Sequence, residues 1–315
     1  MAMQDISNQH VRSMIFTSGT LTPLNNFAEE LSLSCPILLE NSHIISQSQI
    51  WVGIVPVGPN GVKLNSSYQN RENLEYVQSL GNTIYNIVQR VPDGVLVFFP
   101  SYSVMDSCLR VWKTPPLEGN SIWDNICNFK HPVEEPRNGE KVSYAMEDFY
   151  NKIQDKNHRG AIFFAVCRGK VSEGIDFANE KGRAVVVTGI PFPNITDPRV
   201  VIKKKLMDSK KTVNTKESEG PDFEGKGVKK SPRADTKRVN GSDWVRLCAS
   251  RAVNQAVGRV IRHRWDYGAI IFTDERFNGI LNNLSVWLRP YAKAYPNFGP
   301  AIASLHNFFK ATKEF

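Results

Sequence analysis

At 315 residues the chain is longer than a typical domain of about 100–200 residues and shorter than two, and its 41% of hydrophobic residues can bury a sizeable core. A charged fraction of 22% with 10% aromatics excludes a wholly disordered chain, a collagen-like repeat and a coiled coil. The net charge of +8 is local: residues 203–241 hold twelve Lys or Arg against six Asp or Glu, so +6 lies there and the rest is near neutral.

The opening MAMQDISNQHVRSM lacks the apolar core of a secretory signal. No later run approaches the roughly 18–20 apolar residues that cross a bilayer, so an intracellular protein with no membrane partner is expected. Apolar runs of strand length follow at Met14–Thr17, Ile50–Val55, Val95–Phe99, Ala161–Val166, Ala184–Thr188 and Ala269–Thr273. They are continuous rather than alternating, which predicts strands covered on both faces. Helices are predicted at about 22–31, 69–90, 101–113, 143–155, 242–263 and 275–288, with Asn70 and either Ser143 or Ser242 as N-caps. The pattern is that of an α/β fold whose mostly parallel sheet is flanked by helices.

Between Lys113 and Ser143 the chain is rich in Pro and Gly, apart from an aromatic patch (Ile122, Trp123, Ile126, Phe129) that predicts a satellite helix. Segment 209–241 is poor in large apolar residues and is predicted to be a disordered basic insertion. Its pairs Lys229–Lys230 and Lys237–Arg238 read either as a nuclear localisation signal or as part of a solvated loop. The five cysteines are far apart, form no C-x-x-C pair and have no His beside them at zinc spacing. Reduced core thiols and no metal site are expected.

Four segments carry candidate chemistry. Thr17-Ser18-Gly19-Thr20-Leu21 follows the first run and is rich in hydroxyls. Pro100-Ser101-Tyr102 follows Val95–Phe99, where hydroxyls and free N–H groups at a helix start suit a nucleic-acid phosphate, or Ser101 simply caps the helix. Arg168-Gly169-Lys170-Val171-Ser172-Glu173-Gly174-Ile175-Asp176-Phe177 follows Ala161–Val166, and ligands of open α/β sheets bind at such strand ends. There Arg168 and Lys170 can neutralise phosphate while Glu173 or Asp176 accepts from a hydroxyl or orients water; a polar turn with a Lys170–Glu173 pair is the plainer account. Gln255-Ala256-Val257-Gly258-Arg259-Val260-Ile261-Arg262 lies in the predicted helix 242–263, where about 100° per residue gathers Gln255, Arg259, Arg262 and Arg251 on one face. Such a face suits a polyphosphate, or else it is merely solvated.

Taken in order, these segments resemble motifs III, IV, V and VI of superfamily two helicases of the iron–sulfur class, the family of XPD and FANCJ. Stretches 41–61, 98–106, 165–177, 197–208 and 250–277 are most similar to the telomere-maintenance branch of that family, and GIPFPN (189–194) is also FANCJ-like. The resemblance implies a RecA-like helicase domain 2 at 41–315, preceded at 1–40 by the end of a first motor domain with its motif III strand and link. It further implies ATP-driven 5′-to-3′ movement on DNA in telomere maintenance and repair, and a nuclear location. Carried over by motif, Arg262 is the arginine-finger candidate, with Arg259 and Gln255 beside it. Glu173, Gly174 and Asp176 line the nucleotide cleft; Ser101, Tyr102, Arg168 and Lys170 line a track for single-stranded DNA; Ser18, Gly19 and Thr20 couple the two.

The implied partners are single-stranded and branched DNA and the first motor domain, with which ATP and Mg2+ are shared. The family's G-x-x-x-x-G-K-[ST] phosphate loop, its Asp-Glu-x-His box and the four cysteines of its 4Fe-4S cluster do not occur in these residues. A truncated chain, inactive alone, is therefore expected. The alternatives are an XPD- or FANCJ-like paralogue and a non-catalytic DNA-binding or interaction module.

Overall fold

The structure, a computed structural model, describes residues 2–18, 21–31, 33–155, 158–169, 177–216 and 239–312. In chain order the elements are α1 (Ala2–Ser7), α2 (Leu24–Leu31), β1 (Ile50–Ile54), α3 (Leu74–Val88), β2 (Val95–Phe99), α4 (Tyr102–Lys113), α5 (Ile122–Cys127), β3 (His131–Glu134), α6 (Val142–Ile153), β4 (Ala161–Val166), β5 (Ala184–Val187), α7 (Pro198–Lys216), α8 (Gly241–Val257), β6 (Gly268–Phe272), β7 (Ala292–Ala294) and α9 (Phe298–Ala311). They form two compact units: Met1–Pro191 with Ser250–Phe315, and Phe192–Ala249. No described helix is long and apolar enough to cross a membrane.

The first unit is built on a seven-stranded sheet of order β3-β4-β2-β5-β6-β1-β7 in which every pairing is parallel. Five of the predicted runs are its five inner strands, and each is buried along its whole length. On one face Val97, Phe99, Phe164, Val186 and Ile271 share a core with residues of α3, α4, α5 and α9. On the other, Phe163 meets Phe149 of α6 edge-on at 5.4 Å, and Phe272 lies 4.5 Å from Phe277. Trp112 of α4 is fully buried and donates from Nε1 to the Val77 carbonyl at 2.8 Å. Gly81 of α3 makes room for it, since a methyl group there would lie 2.5 Å from Nε1.

The second unit pairs α7 with the start of α8, and the Gly241 N–H donates to Asp208 Oδ1 at 2.8 Å. Helix α7 continues through Lys216 into the stretch predicted to be disordered, and Gly241 already opens α8; residues 217–238, with both basic pairs, lie outside the described residues.

Several expectations are corrected. Residues 14–17 form no strand: they join none of the seven, and Ile15 is 85% exposed, because an isolated apolar run has no neighbour for its N–H and C=O groups. In place of a helix at 275–288 there are 3₁₀ turns at Glu275–Gly279 and Leu281–Asn283, since Gly279 and the Asn282–Asn283 pair are poor helix formers. Asn73, not Asn70, caps α3 by accepting from the Glu75 N–H; Asn240, not Ser242, accepts from the Asp243 N–H at the start of α8. Helix α6 starts one residue before Ser143, behind a 3₁₀ turn and with no side-chain cap. The satellite helix is α5, whose Ser121 and Asp124 form a capping box.

One buried cation holds the β2 and β4 approaches together. Lys130 is fully buried and donates to the carbonyls of Asp93 (2.7 Å) and Arg159 (2.5 Å). Burial pushes its ammonium down from the usual 10.5 to about 7. A base whose folded pKa is lowered costs stability below that pKa, and the cost is relieved as pH rises toward the unfolded value. Between pH 7 and 8.5 the unfolding free energy of the wild type should therefore rise relative to Lys130→Met by about 1 kcal/mol per pH unit. Urea titrations at several pH values measure this, and parallel curves would show that Lys130 stays charged when folded.

Candidate functional site

Strands β2 and β4 are neighbours, with Phe99 opposite Val166, so the loops that follow them open side by side. This brings Ser101, Tyr102 and Arg168 together, as their sequence positions predict. Ser101 caps α4 and accepts from the Val104 N–H at 3.4 Å, leaving first-turn N–H groups directed at the same edge. Arg168 is exposed and held at φ +65°, a left-handed conformation uncommon for a side chain larger than Gly. Gly169 turns the chain tightly beside it, because a methyl group there would lie 2.5 Å from Glu135 Oε1.

Glu135, just past β3, organises this edge and was missed by the sequence reading. It is 3% exposed, accepts the Val166 N–H at 2.7 Å, and its own N–H donates to the Phe164 carbonyl at 2.8 Å. Partial burial, followed by the neighbouring Glu135 carboxylate, pushes the Tyr102 hydroxyl up to about 12, so it stays a neutral phenol. Arg137 sits 5.4 Å over the Tyr102 ring and is ion-paired with Asp106 of α4. Burial also pushes the Cys167 thiol up to about 12, which makes it an inert core group rather than a nucleophile. The edge thus offers two guanidinium groups, two hydroxyls, a helix start and an aromatic face, a set that fits the phosphates and bases of a single strand.

The Q-x-x-G-R-x-x-R segment does not form one helical face. Helix α8 ends at Val257 and the chain tightens through Gly258, so Arg259 and Arg262 lie beyond its end. Arg259 is buried, at 8% exposure, while Gln255 and Arg262 are exposed. Arg251 pairs with Glu30 of α2 instead of joining them. The reason lies in Asp266, a 1%-exposed carboxylate before β6. Its Oδ2 accepts the Arg262 N–H at 3.1 Å, and its Oδ1 accepts from Arg183 Nη1 and the Tyr267 N–H, both at 3.0 Å. Arg183 and Asp266 precede β5 and β6, so the motif lies at the opposite edge of the sheet from Ser101 and Arg168. The loop is pinned through its backbone and the Arg262 side chain is directed outward.

Of the remaining candidates, Ser18 is exposed and outside regular structure, whereas Gly19, Thr20, Lys170, Glu173, Gly174 and Asp176 lie outside the described residues. A third buried carboxylate, Asp274 after β6, accepts from the Ser66 N–H and hydroxyl and from Arg276. Neither it nor Asp266 shows a sequence signal of burial; only their places at strand ends mark them.

Residues 84–291 match the family described as the helicase C-terminal domain. The chain belongs to that family. It is similar to the regulator of telomere elongation helicase 1 homologs of Oryza sativa subsp. japonica, at 50% identity over 98% of its length, and of Arabidopsis thaliana, at 48% over 99%. It spans 29% of the length of each. A solved XPD helicase matches 92% of the chain and 44% of its own with a TM-score of 0.53 at 20% identity, a likeness of fold. The parallel sheet is therefore that of a RecA-like helicase C-terminal domain.

Removing the carboxylate that pins the motif tests its place in this helicase domain. Asp266→Asn keeps the shape but takes from Arg183, whose side chain is 11% exposed, the nearer and fully buried of its two carboxylate partners, leaving Asp93 at 3.7 Å, and should cost about 3 kcal/mol in urea unfolding. An unchanged midpoint would show that the pair does not hold the loop.

Proposed function

We propose that this chain is the C-terminal motor half of an ATP-dependent 5′-to-3′ DNA helicase of the nucleus, acting in telomere maintenance and DNA repair. The observation that carries the reading is the separation of two equipped edges: Arg262, backbone-anchored by a buried carboxylate and outward-facing, at one, and Ser101, Tyr102 and Arg168 at the other. Phosphoryl transfer needs charge neutralisation more than covalent chemistry, so a guanidinium preset on a rigid loop suits the transition state. In this reading Arg262 is the arginine finger, Arg259 and Gln255 support the nucleotide side with Glu173, Gly174 and Asp176, and Lys170 extends the DNA track. Ser18, Gly19 and Thr20 couple the two halves, and branched DNA is engaged through its single-stranded arms.

ATP and Mg2+ belong, in this reading, between this half and a first motor domain. The chain has no phosphate-loop sequence, and no three carboxylates converge among its described residues. Its cysteines do not fit a 4Fe-4S cluster either: Cys108 and Cys167 are buried thiols pushed up to about 12, and no Cys joins a ligand group among the described residues. We assign both phosphate loop and cluster to the part of its relatives that this chain does not span, and infer no turnover by the chain alone.

The test joins this chain to a first motor domain of its relatives and measures DNA-stimulated ATP turnover. Arg262→Ala should lower kcat by about 10³-fold or more while single-stranded DNA binding persists; unchanged kcat would remove Arg262 as the finger. Arg168→Gly takes away the charge yet suits the left-handed backbone, and should reduce the salt dependence of DNA binding by about one phosphate contact. An unaltered salt slope would take Arg168 off the track.

A further inference from the structure

The end of the sheet where β3 begins carries a side-chain cluster that the proposed function does not use. His131 opens β3, and Asp155 and His158 lie in the turn after α6, where the His158 N–H donates to the Asp155 carbonyl. His131 Nε2 is 2.8 Å and His158 Nδ1 3.5 Å from the same oxygen, Asp155 Oδ2. The imidazole centroids are only 3.7 Å apart, and one ligand atom from each of the three residues lies within 4.8 Å of the others. His158 Nδ1 is buried with no hydrogen-bond partner, which is costly for a ring nitrogen unless something binds it. The neighbouring cations are turned elsewhere: Lys130 binds backbone carbonyls, and the Arg159 guanidinium lies 6.0 Å from the Phe129 ring centre.

We propose that His131, Asp155 and His158 form a binding site for a divalent transition-metal ion of the zinc class. Ligand atoms at about 2.0–2.1 Å from a tetrahedral ion stand roughly 3.3 Å from one another; the 2.8 and 3.5 Å to Asp155 are close to this, and the two ring nitrogens, within 4.8 Å, would draw together on the ion. Two imidazoles with one carboxylate select a borderline ion over Mg2+ or Ca2+, and three protein ligands leave one position for water. The ion ties an edge strand that needs support. Strand β3 pairs only with β4, over four residues, and Pro132 among them has no N–H to give. The residue after that strand is Glu135, which shapes the surface around Gly169 and Tyr102, so metal at the start of β3 steadies the far edge as well.

Cobalt(II) titrated into the whole chain under reducing conditions tests the site. The expected result is one equivalent bound, with visible d–d absorption and no thiolate charge-transfer band. Zn2+ should displace it and raise the melting temperature. In His158→Gln and His131→Gln, with folding checked by circular dichroism, affinity should fall about 10-fold or more and the Zn2+-induced rise should vanish. Absence of the d–d band in the wild type overturns the proposal whatever the variants do. So does a thiolate band, which would move the ion to a cysteine, or unchanged affinity in both variants.

Discussion

A sheet whose seven strands all run one way and are covered on both faces can present chemistry only at its two ends. Everything polar that matters in the first unit is gathered there, and buried carboxylates hold it. Glu135 beyond β3, Asp274 beyond β6 and Asp266 before β6 are each at most 3% exposed, and each accepts at least one backbone N–H, from the last residue of β4, from Ser66 and from Arg262 respectively. A buried carboxylate is tolerated only when its lone pairs are filled, so each one dictates a loop geometry as a condition of folding. Arg262 and Arg168 inherit their positions from these carboxylates rather than from the helices nearest to them in sequence.

Close packing fixes a further stretch of chain at each edge. Gly169 packs on Glu135 at one edge, and Phe177 lies at the other. There the Phe177 ring lies 6.1 Å from Phe149, and its carbonyl lies against Gly182. Gly182 is required: a methyl group would come within 2.5 Å of the Phe177 carbonyl oxygen and 3.5 Å of that of Arg259.

The inner strands were legible in the sequence because burial on both faces demands unbroken apolar runs, and Val95–Phe99 and Ala161–Val166 appear at their predicted limits. The edge strands were not. His131–Glu134 contains a proline and a charge, and Ala292–Ala294 is three residues long with a lysine at its centre; an edge strand has one neighbour and no need of that signature. At the candidate site the residue types were legible and the geometry was not. Helical periodicity carried past Gly258 grouped Arg259 with Arg262, whereas the helix stops at Val257 and a carboxylate four residues beyond Arg262, invisible as a buried group in a linear reading, holds the chain that follows. The metal-type cluster escaped for a similar reason: its D-x-x-H half is local, but its third member lies 24 residues upstream of Asp155 and is delivered by an edge strand that the sequence did not announce.

On the proposed function, the distribution of charge bears on how such a domain grips and releases a polyanion. Of the net +8, +6 lies in residues 203–241, outside the sheet-bearing unit that holds both edges. Those edges therefore work in a nearly neutral field and depend on a few guanidinium groups. Each phosphate contact adds a salt-dependent increment to affinity, so a surface with few of them binds weakly and lets go readily. On the proposed function the domain steps along a strand and needs that reversibility at every cycle. Tight binding by a broad basic face would oppose it. Single charges on loops fixed by buried carboxylates supply orientation without excess affinity, and the Arg183–Asp266 pair and Glu135 bear the cost in stability that such placement requires.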